Sequence, residues 1–271
     1  MSRTPNLLND IELNDEELDR NKRRVDVFIP QYLVKHISKH ESICSAGCGT
    51  GYDVEVLCNL GYDAYGFDPG ARTSAWKARG PIAANRLKLG FAQDLPFGKD
   101  RFDVVYALEV IEHVGCEEGQ WKLLPNHFEI RSKFLESCLD MLKPKGRMLL
   151  STSHRLCPLD PGHGHHYTWL TNFVVQKTGV NLTVPWHKKN FVLAWNDVVR
   201  MLAATRYRER YEMKRLPVRR YLAHSRVGVN HALIKHSIDA VMSVVSLPLL
   251  RASPLNPVFV VEIQKLCPNG A

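Results

Sequence analysis

The sequence predicts an α/β fold with a doubly wound parallel sheet, and three observations support that prediction. An apolar run leads into a glycine-rich turn at residues 47–51, which is typical of a strand that turns sharply into a helix. A short apolar segment, residues 64–68, ends in a carboxylate 19 residues after Gly49. Further short apolar runs rich in β-branched residues alternate with helical patterns, as expected for successive βα units.

The predicted elements follow one another at regular intervals along the chain. Helix 51–60 ends at Gly61, and helix 128–142 ends at a Lys-Pro-Lys-Gly turn. An earlier helix is predicted at 25–39, where it covers the ligand site, and a later one at 196–204. The remaining segments are predicted as strands or strand ends: 43–46, 64–68, 88–91, 101–107, 148–152 and 258–263.

The glycine turn is the first candidate ligand site. Gly47, Gly49 and Gly51 stand at alternate positions, and glycine lets the backbone adopt positive φ or approach a ligand closely. The helix that follows presents free N–H groups and partial positive charge at its N-terminus. A dinucleotide fingerprint would place the third glycine at position 52, where Tyr52 stands, so the spacing favours a different cofactor.

These signals, in this order, resemble class I S-adenosylmethionine (SAM) methyltransferases over residues 40–155. The run Gln93-Asp94-Leu95-Pro96-Phe97 is also similar to that family. The resemblance implies a Rossmann-like seven-stranded methyltransferase sheet, an extra helical region before the last strand, and SAM as methyl donor. An acidic side chain at the end of the second strand is placed to accept ribose hydroxyls.

By position, the resemblance implies a role for each matching residue. Gly47, Gly49 and Gly51 approach the methionine part of SAM, Asp68 the ribose, and Asp94 with Leu95 the adenine, while Glu109 packs near the cofactor. The acidic residue that usually opens the glycine motif is replaced here by Ser45. The sequence therefore leaves open how the amino group of SAM is held.

A second cluster follows the fourth predicted strand. Glu109, Glu112 and His113 are spaced i, i+3 and i+4, so they share one face if this stretch is helical. Two neighbouring carboxylates repel each other, which makes a divalent cation a natural partner. His165, in a histidine-rich loop after the fifth strand, is the candidate fourth ligand.

The Glu-x-x-Glu-His pattern with the later histidine stretch is similar to two branches of the family. These are metal-dependent methyltransferases of small-RNA 3′ ends and ubiquinone-pathway O-methyltransferases. A bound Mg²⁺, Mn²⁺ or Zn²⁺ would stabilise an alkoxide on the acceptor. The alternatives are that His113 acts as a general base without a metal, or that the cluster is structural.

Charge and composition limit the partners that the protein is expected to have. The formal net charge is +8, and many arginines and lysines crowd residues 206–226. That segment is compatible with nucleic-acid binding, with attraction of anionic substrates or lipids, or with an ordinary solvated face. Residues 232–250 form a packed helix or, alternatively, a helix at a membrane surface. With no apolar run of spanning length, no signal-peptide core and an odd number of cysteines, we expect a cytoplasmic protein.

The chain is accordingly divided into four parts. Residues 1–40 form an N-terminal segment with the covering helix, 41–153 the SAM-binding core, 154–250 an acceptor-side loop and helical insertion, and 251–271 a closing edge strand. The predicted function is O-methylation of a hydroxyl on a small molecule, a saccharide or a lipid-linked sugar. The alternatives are 2′-O-methylation of an RNA 3′-terminal ribose and a non-catalytic SAM-fold protein at a membrane. The acceptor and the oligomeric state stay open.

Overall fold

The computed structural model describes residues 15–70, 73–117, 122–157, 191–218 and 256–267, together with isolated positions at 173, 177 and between 236 and 250. Within these ranges, seven strands form one sheet in the order β3-β2-β1-β4-β5-β7-β6. The strands are β1 (Ser42–Ala46), β2 (Asp63–Asp68), β3 (Leu87–Leu89), β4 (Phe102–Leu108), β5 (Leu142–Ser153), β6 (Tyr211–Leu216) and β7 (Val258–Lys265). The helices are α1 (Asp15–Gln31), α2 (Tyr52–Asn59), α3 (Gly80–Arg86), α4 (His127–Met141) and α5 (Trp195–Ala203).

The strand directions confirm the predicted fold class. β1 pairs in parallel with β2 and β4, and β4 pairs in parallel with β5. β7 runs antiparallel between β5 and β6. The carboxyl ends of β1 and β4 therefore meet at one edge of the sheet, which is where open α/β sheets bind ligands.

Helices cover both faces of the sheet, which is why the central strands are apolar on both sides. On one face, Leu135 and Leu139 of α4 pack with Val198 of α5 in a continuous buried cluster. On the other face, Ile29 of α1 and Leu57 of α2 belong to a second cluster. Strands buried on both faces appear in the sequence as continuous apolar runs, and this made β1 and β4 easy to predict.

The first helix differs from its prediction. It was expected at 25–39, but α1 spans Asp15–Gln31, and a short 3₁₀ turn follows at Leu33–Lys35. Its first turns are polar, with exposed Lys22, Arg23 and Arg24, so no apolar periodicity signals them in the sequence. Only the second half of α1 carries buried apolar residues.

The prediction of the edge strand was also wrong. Residues 258–263 were predicted as the closing edge strand, yet β7 lies inside the sheet and β6 is the edge. The sequence of β6 alternates partly buried residues with exposed Glu212 and Lys214, so it lacks an apolar run. Charged side chains on an edge strand discourage pairing with another chain. They also interrupt the apolar run by which a strand is predicted from sequence.

Part of the basic segment, residues 206–226, forms β6, and several of its charged side chains contact other residues of the chain. Lys214 forms a salt bridge with Glu262, 2.7 Å away, and the Arg215 guanidinium lies 4.4 Å from the Trp195 ring centre. Arg206 pairs with Asp140. These side chains are engaged within the chain, while Arg219, Arg220 and Arg226 lie outside the described residues.

Most of the predicted insertion lies outside the described residues, including more than half of the 232–250 segment. Among the helices that are described, none is long and apolar enough to cross a membrane. Cys44 and Cys48, beside the glycine turn, are buried free thiols.

Candidate functional site

The glycine turn has the left-handed backbone that its sequence predicts. Gly47, Gly49 and Gly51 have φ values of 84°, 52° and 70°. A Cβ added at Gly47 would lie 2.6 Å from Val110 Cγ1, and one at Gly51 would lie 2.5 Å from Leu87 Cδ1. Both distances are shorter than real contacts, so only glycine fits these two positions.

Asp68 and Trp76 fix the turn in place. The Asp68 carboxylate, at the end of β2, accepts a hydrogen bond from the Gly49 N–H at 2.9 Å and one from the Gly70 N–H at 3.1 Å. Trp76 Nε1 donates to the Gly49 carbonyl at 2.8 Å. The predicted ribose ligand thus also holds the glycine backbone in position.

A cavity lies between the glycine turn, α1 and the end of β4. From the turn it is lined by Gly47, Gly49 and neighbouring residues, and from β4 by Glu109 and Val110. The full lining comprises Asn21, Val25, Phe28, Ser45, Gly47, Cys48, Gly49, Thr50, Asp53, Tyr106, Leu108, Glu109 and Val110. Helix α1 therefore forms one wall of this cavity, and its predicted role as the cover of the cofactor site stays a prediction.

Asp53 is the site residue that sequence reasoning missed. It lies in the first turn of α2, and its Oδ2 accepts hydrogen bonds from Ser45 Oγ and from the Tyr106 hydroxyl, each at 2.7 Å. Burial raises the pKa of the Asp53 carboxyl, while the hydrogen bonds from Tyr106 and Ser45 act in the opposite direction. The available signal was an acidic residue two positions after Gly51, at the start of a helix.

The predicted helix through Glu109, Glu112 and His113 does not form. Glu109 has a left-handed backbone with φ of 55°, and the following residues make separate turns, such as the His113 N–H bond to the Val110 carbonyl. The three side chains consequently do not share a helical face. Glu109 borders the cavity, Glu112 is fully buried, and His113 is exposed.

The two carboxyl groups have different surroundings. Ser151 Oγ donates to Glu109 Oε1 at 3.1 Å, and Ser153 Oγ donates to Glu109 Oε2 at 3.3 Å. Burial raises the pKa of Glu112 well above its usual range, and the nearby negative charge of Glu109 adds to the effect. The His113 ring instead contacts Phe191 edge-on, with 5.4 Å between the ring centres.

This arrangement does not by itself support the predicted metal site, which stays a prediction. A carboxyl must be deprotonated to bind a metal ion, and burial raises the pKa of Glu112, which disfavours that form. Across the described residues, no group of three or more His, Cys, Asp or Glu side chains is placed to hold a metal ion. His165 lies outside the described residues.

Arg131 of α4 holds the segment after β4 in this conformation. Its fully buried guanidinium donates to the backbone carbonyls of Val114 at 2.9 Å, Glu112 at 2.6 Å and Phe191 at 3.0 Å. A buried arginine bonded to three carbonyls replaces the regular hydrogen bonds of a helix. This contact explains why the residues after Glu109 depart from their helical spacing.

The predicted adenine ligands lie on a different loop. Asp94 is exposed and accepts a hydrogen bond from the Phe91 N–H at 3.2 Å, and Leu95 has φ of 46°. Neither Asp94 nor Leu95 belongs to the lining of the cavity described above, and the same is true of Gly51 and Asp68. The roles implied for these residues stay predictions.

Comparisons with known proteins agree with this architecture. A family model described as "Methyltransferase domain" matches residues 18–193. The ubiquinone biosynthesis O-methyltransferase of Azorhizobium caulinodans is 31% identical over 140 residues, which is 47% of this chain and 50% of that protein. A probable S-adenosylmethionine-dependent methyltransferase of Mycolicibacterium smegmatis is 28% identical over 136 residues, covering 47% of each. The chain thus spans about half the length of these curated relatives.

Two solved structures are also similar. The 1,6-didemethyltoxoflavin-N1-methyltransferase of Burkholderia thailandensis, with S-adenosylhomocysteine bound, is 14% identical, covers 93% of this chain and 82% of its own, and has a TM-score of 0.46. An S-adenosylmethionine-dependent methyltransferase of Mesorhizobium loti is 14% identical, with 89% and 100% covered and a TM-score of 0.46.

Proposed function

Since the chain belongs to the SAM-dependent methyltransferases, we propose that it transfers the methyl group of SAM to a hydroxyl of a small molecule, a saccharide or a lipid-linked sugar. The observation that carries the proposal is the cavity, because the glycine turn and the end of β4 both line it. The names of its curated relatives, ubiquinone biosynthesis O-methyltransferases, support a hydroxyl acceptor over a nitrogen or carbon one.

The residues around the glycine turn fit this cofactor. We assign the methionine part to Gly47, Gly49 and Gly51, because side chains at Gly47 and Gly51 would meet their neighbours. We assign the ribose to Asp68, because its carboxylate stands at the end of β2 beside the glycine turn. Asp94 and Leu95 are assigned to the adenine, and Glu109 to the methionine side of the cavity.

SAM supplies a methyl group on a positively charged sulfur, so the donor is already activated. The protein then has two tasks, which are to orient the acceptor hydroxyl and to receive its proton. We assign proton acceptance to His113, because a neutral imidazole nitrogen can accept a proton and the exposed His113 ring is held edge-on against Phe191. Glu109 is the competing base, since its carboxylate borders the cavity.

The contacts that the basic segment makes within the chain favour a small acceptor over RNA. Arg206, Lys214 and Arg215 contact Asp140, Glu262 and Trp195 of the same chain, which occupies charge that a nucleic acid would otherwise meet. Methylation of an RNA 3′ end and a non-catalytic SAM-binding role are the two competing functions.

Production of S-adenosylhomocysteine from SAM tests the proposal with polyol, phenol and small-RNA acceptors offered separately. We expect turnover with at least one hydroxyl compound, and a loss of about 10²- to 10⁴-fold in kcat for His113→Ala, the usual contribution of a general base. Calorimetric binding of S-adenosylhomocysteine should stay unchanged in that variant.

His40→Ala is the matched control, because His40 is an exposed histidine that precedes β1, at the end of the strand opposite the glycine turn. Normal turnover of His113→Ala, with loss in Glu109→Gln, would transfer the base role to Glu109. Methylation of RNA alone would favour the RNA function, and cofactor binding without any turnover would favour the non-catalytic one.

A further inference from the structure

Asp53 occupies an unusual position for a carboxylate. Ser45 and Tyr106 are directly paired across β1 and β4, and both hydroxyls donate to the same oxygen, Asp53 Oδ2. The carboxylate is thus anchored over the point where two central strands end. It also borders the cavity together with Gly47 and Gly49.

The second oxygen of this carboxylate is in a different state. Asp53 Oδ1 is buried, and no hydrogen bond of ordinary geometry reaches it from the described residues, although the backbone N–H groups of Asp53 and Val54 lower the pKa of the carboxyl. None of the ion pairs formed by those residues includes Asp53 either. A buried acceptor without a partner is costly, and a carboxylate more so than a neutral group. The geometry therefore calls for a donor, preferably a cation, that enters from the cavity.

We propose that Asp53 binds the α-ammonium group of the methionine part of SAM. An ammonium group carries both the positive charge and the N–H donors that Oδ1 lacks, whereas the sulfonium of SAM has charge but no donor. Ser45 stands at the end of β1, where the sequence offers no acidic side chain. In this chain α2 supplies the carboxylate, and the Ser45 hydroxyl positions it.

Burial of Asp53 is consistent with such a partner. Burial raises the pKa of its carboxyl and thus disfavours the charged form. An ammonium group in contact with Oδ1 would favour the charged form again. This inference concerns the cofactor alone and does not depend on the acceptor or on turnover.

Calorimetric binding of three ligands shows which group of SAM Asp53 contacts. SAM has both the sulfonium and the ammonium, S-adenosylhomocysteine has only the ammonium, and 5′-methylthioadenosine has neither the charge nor the amino-acid part. For Asp53→Asn we expect affinity for SAM and S-adenosylhomocysteine to fall about 10- to 100-fold, as for loss of a charged hydrogen bond. Affinity for 5′-methylthioadenosine should change by no more than about twofold from the wild-type value, because this ligand lacks the ammonium group.

Asp63→Asn is the matched control, since Asp63 begins β2 at the far end of the sheet and pairs with Arg86. It should change none of the three affinities. Ser45→Ala, which keeps the charge but removes one bond to it, should weaken S-adenosylhomocysteine less than Asp53→Asn does.

Two outcomes would overturn the proposal. Equal weakening of all three ligands would mean that the variant damages the cavity, and unchanged S-adenosylhomocysteine affinity would mean that Asp53 makes no contact with the ligand. If Asp53→Asn does not fold, Asp53→Ser combined with Ser45→Asp returns a carboxylate to β1. That protein should then prefer S-adenosylhomocysteine over 5′-methylthioadenosine as the wild type does, and loss of the preference would contradict the inference.

Discussion

Gly47→Ala gives the most direct test of how the glycine turn is built. A left-handed backbone costs a residue with a Cβ about 1–2 kcal/mol relative to glycine. The new methyl group would also lie 2.6 Å and 2.9 Å from the two Cγ atoms of Val110, and such overpacking costs about 1–3 kcal/mol. We therefore expect Gly47→Ala to lower the free energy of unfolding by about 2–5 kcal/mol.

Gly98→Ala separates the two contributions. Gly98 has the same φ of 84°, but a Cβ there would meet nothing within 4 Å. Its substitution should cost only the backbone part, about 1–2 kcal/mol. Val110→Ala removes both Cγ atoms, so the Gly47→Ala, Val110→Ala double variant should be more stable than the two single losses predict by addition.

Urea unfolding of the four variants measures these differences, and calorimetry with S-adenosylhomocysteine measures the effect on the cavity. Gly47→Ala should also weaken S-adenosylhomocysteine binding, because Gly47 and Val110 both line the cavity, whereas Gly98→Ala should not. Equal destabilisation by Gly47→Ala and Gly98→Ala, or strict additivity with Val110→Ala, would refute the steric argument.

Two further predictions concern charge. Burial raises the pKa of Glu41, but the Arg147 hydrogen bonds, at 2.5 Å and 3.0 Å, outweigh it and lower the net pKa. A lowered folded-state pKa adds stability above the unfolded-state pKa, and that stability is lost as pH falls through the folded-state pKa. Glu41→Gln should therefore cost about 1–2 kcal/mol at pH 7 in urea unfolding, and progressively less as pH falls below the unfolded-state pKa. A cost that is independent of pH would contradict this. EDTA should leave methyl transfer unchanged, because burial raises the pKa of Glu112 and the His113 ring contacts Phe191; loss of turnover that Mg²⁺, Mn²⁺ or Zn²⁺ restores would instead support the predicted metal site.

The glycine turn and the central strands were predictable because their signals are local. The positive φ values of Gly47, Gly49 and Gly51 follow from residue type and spacing, and β1 and β4 from short apolar runs. The C-terminal end of α2 followed from Gly61, whose φ is 83°. Each of these features depends on residues within about one turn or one strand of the chain.

Helix α1, strand β6 and the Glu109–His113 segment were not predictable in the same way. The start of α1 and the whole of β6 are polar, so their structure depends on what they pack or pair with. The residues after Glu109 follow the buried guanidinium of Arg131, a residue of the next helix. Local spacing predicted that these side chains share a helical face. The contact with Arg131, far away in the sequence, instead holds the segment in a non-helical conformation.

The sequence by itself determined the fold class, because glycine spacing, strand composition and an acidic strand end each depend on nearby residues, and the resemblance of these motifs to SAM methyltransferases implied the cofactor. The tertiary structure decided which carboxylate stands beside Ser45, where Asp53 of α2 meets Tyr106 of β4. It also decided that Glu109 and Glu112 lie close to each other, while the His113 ring packs against Phe191. Such arrangements depend on contacts between residues far apart in the chain, and burial then sets the charge of each group.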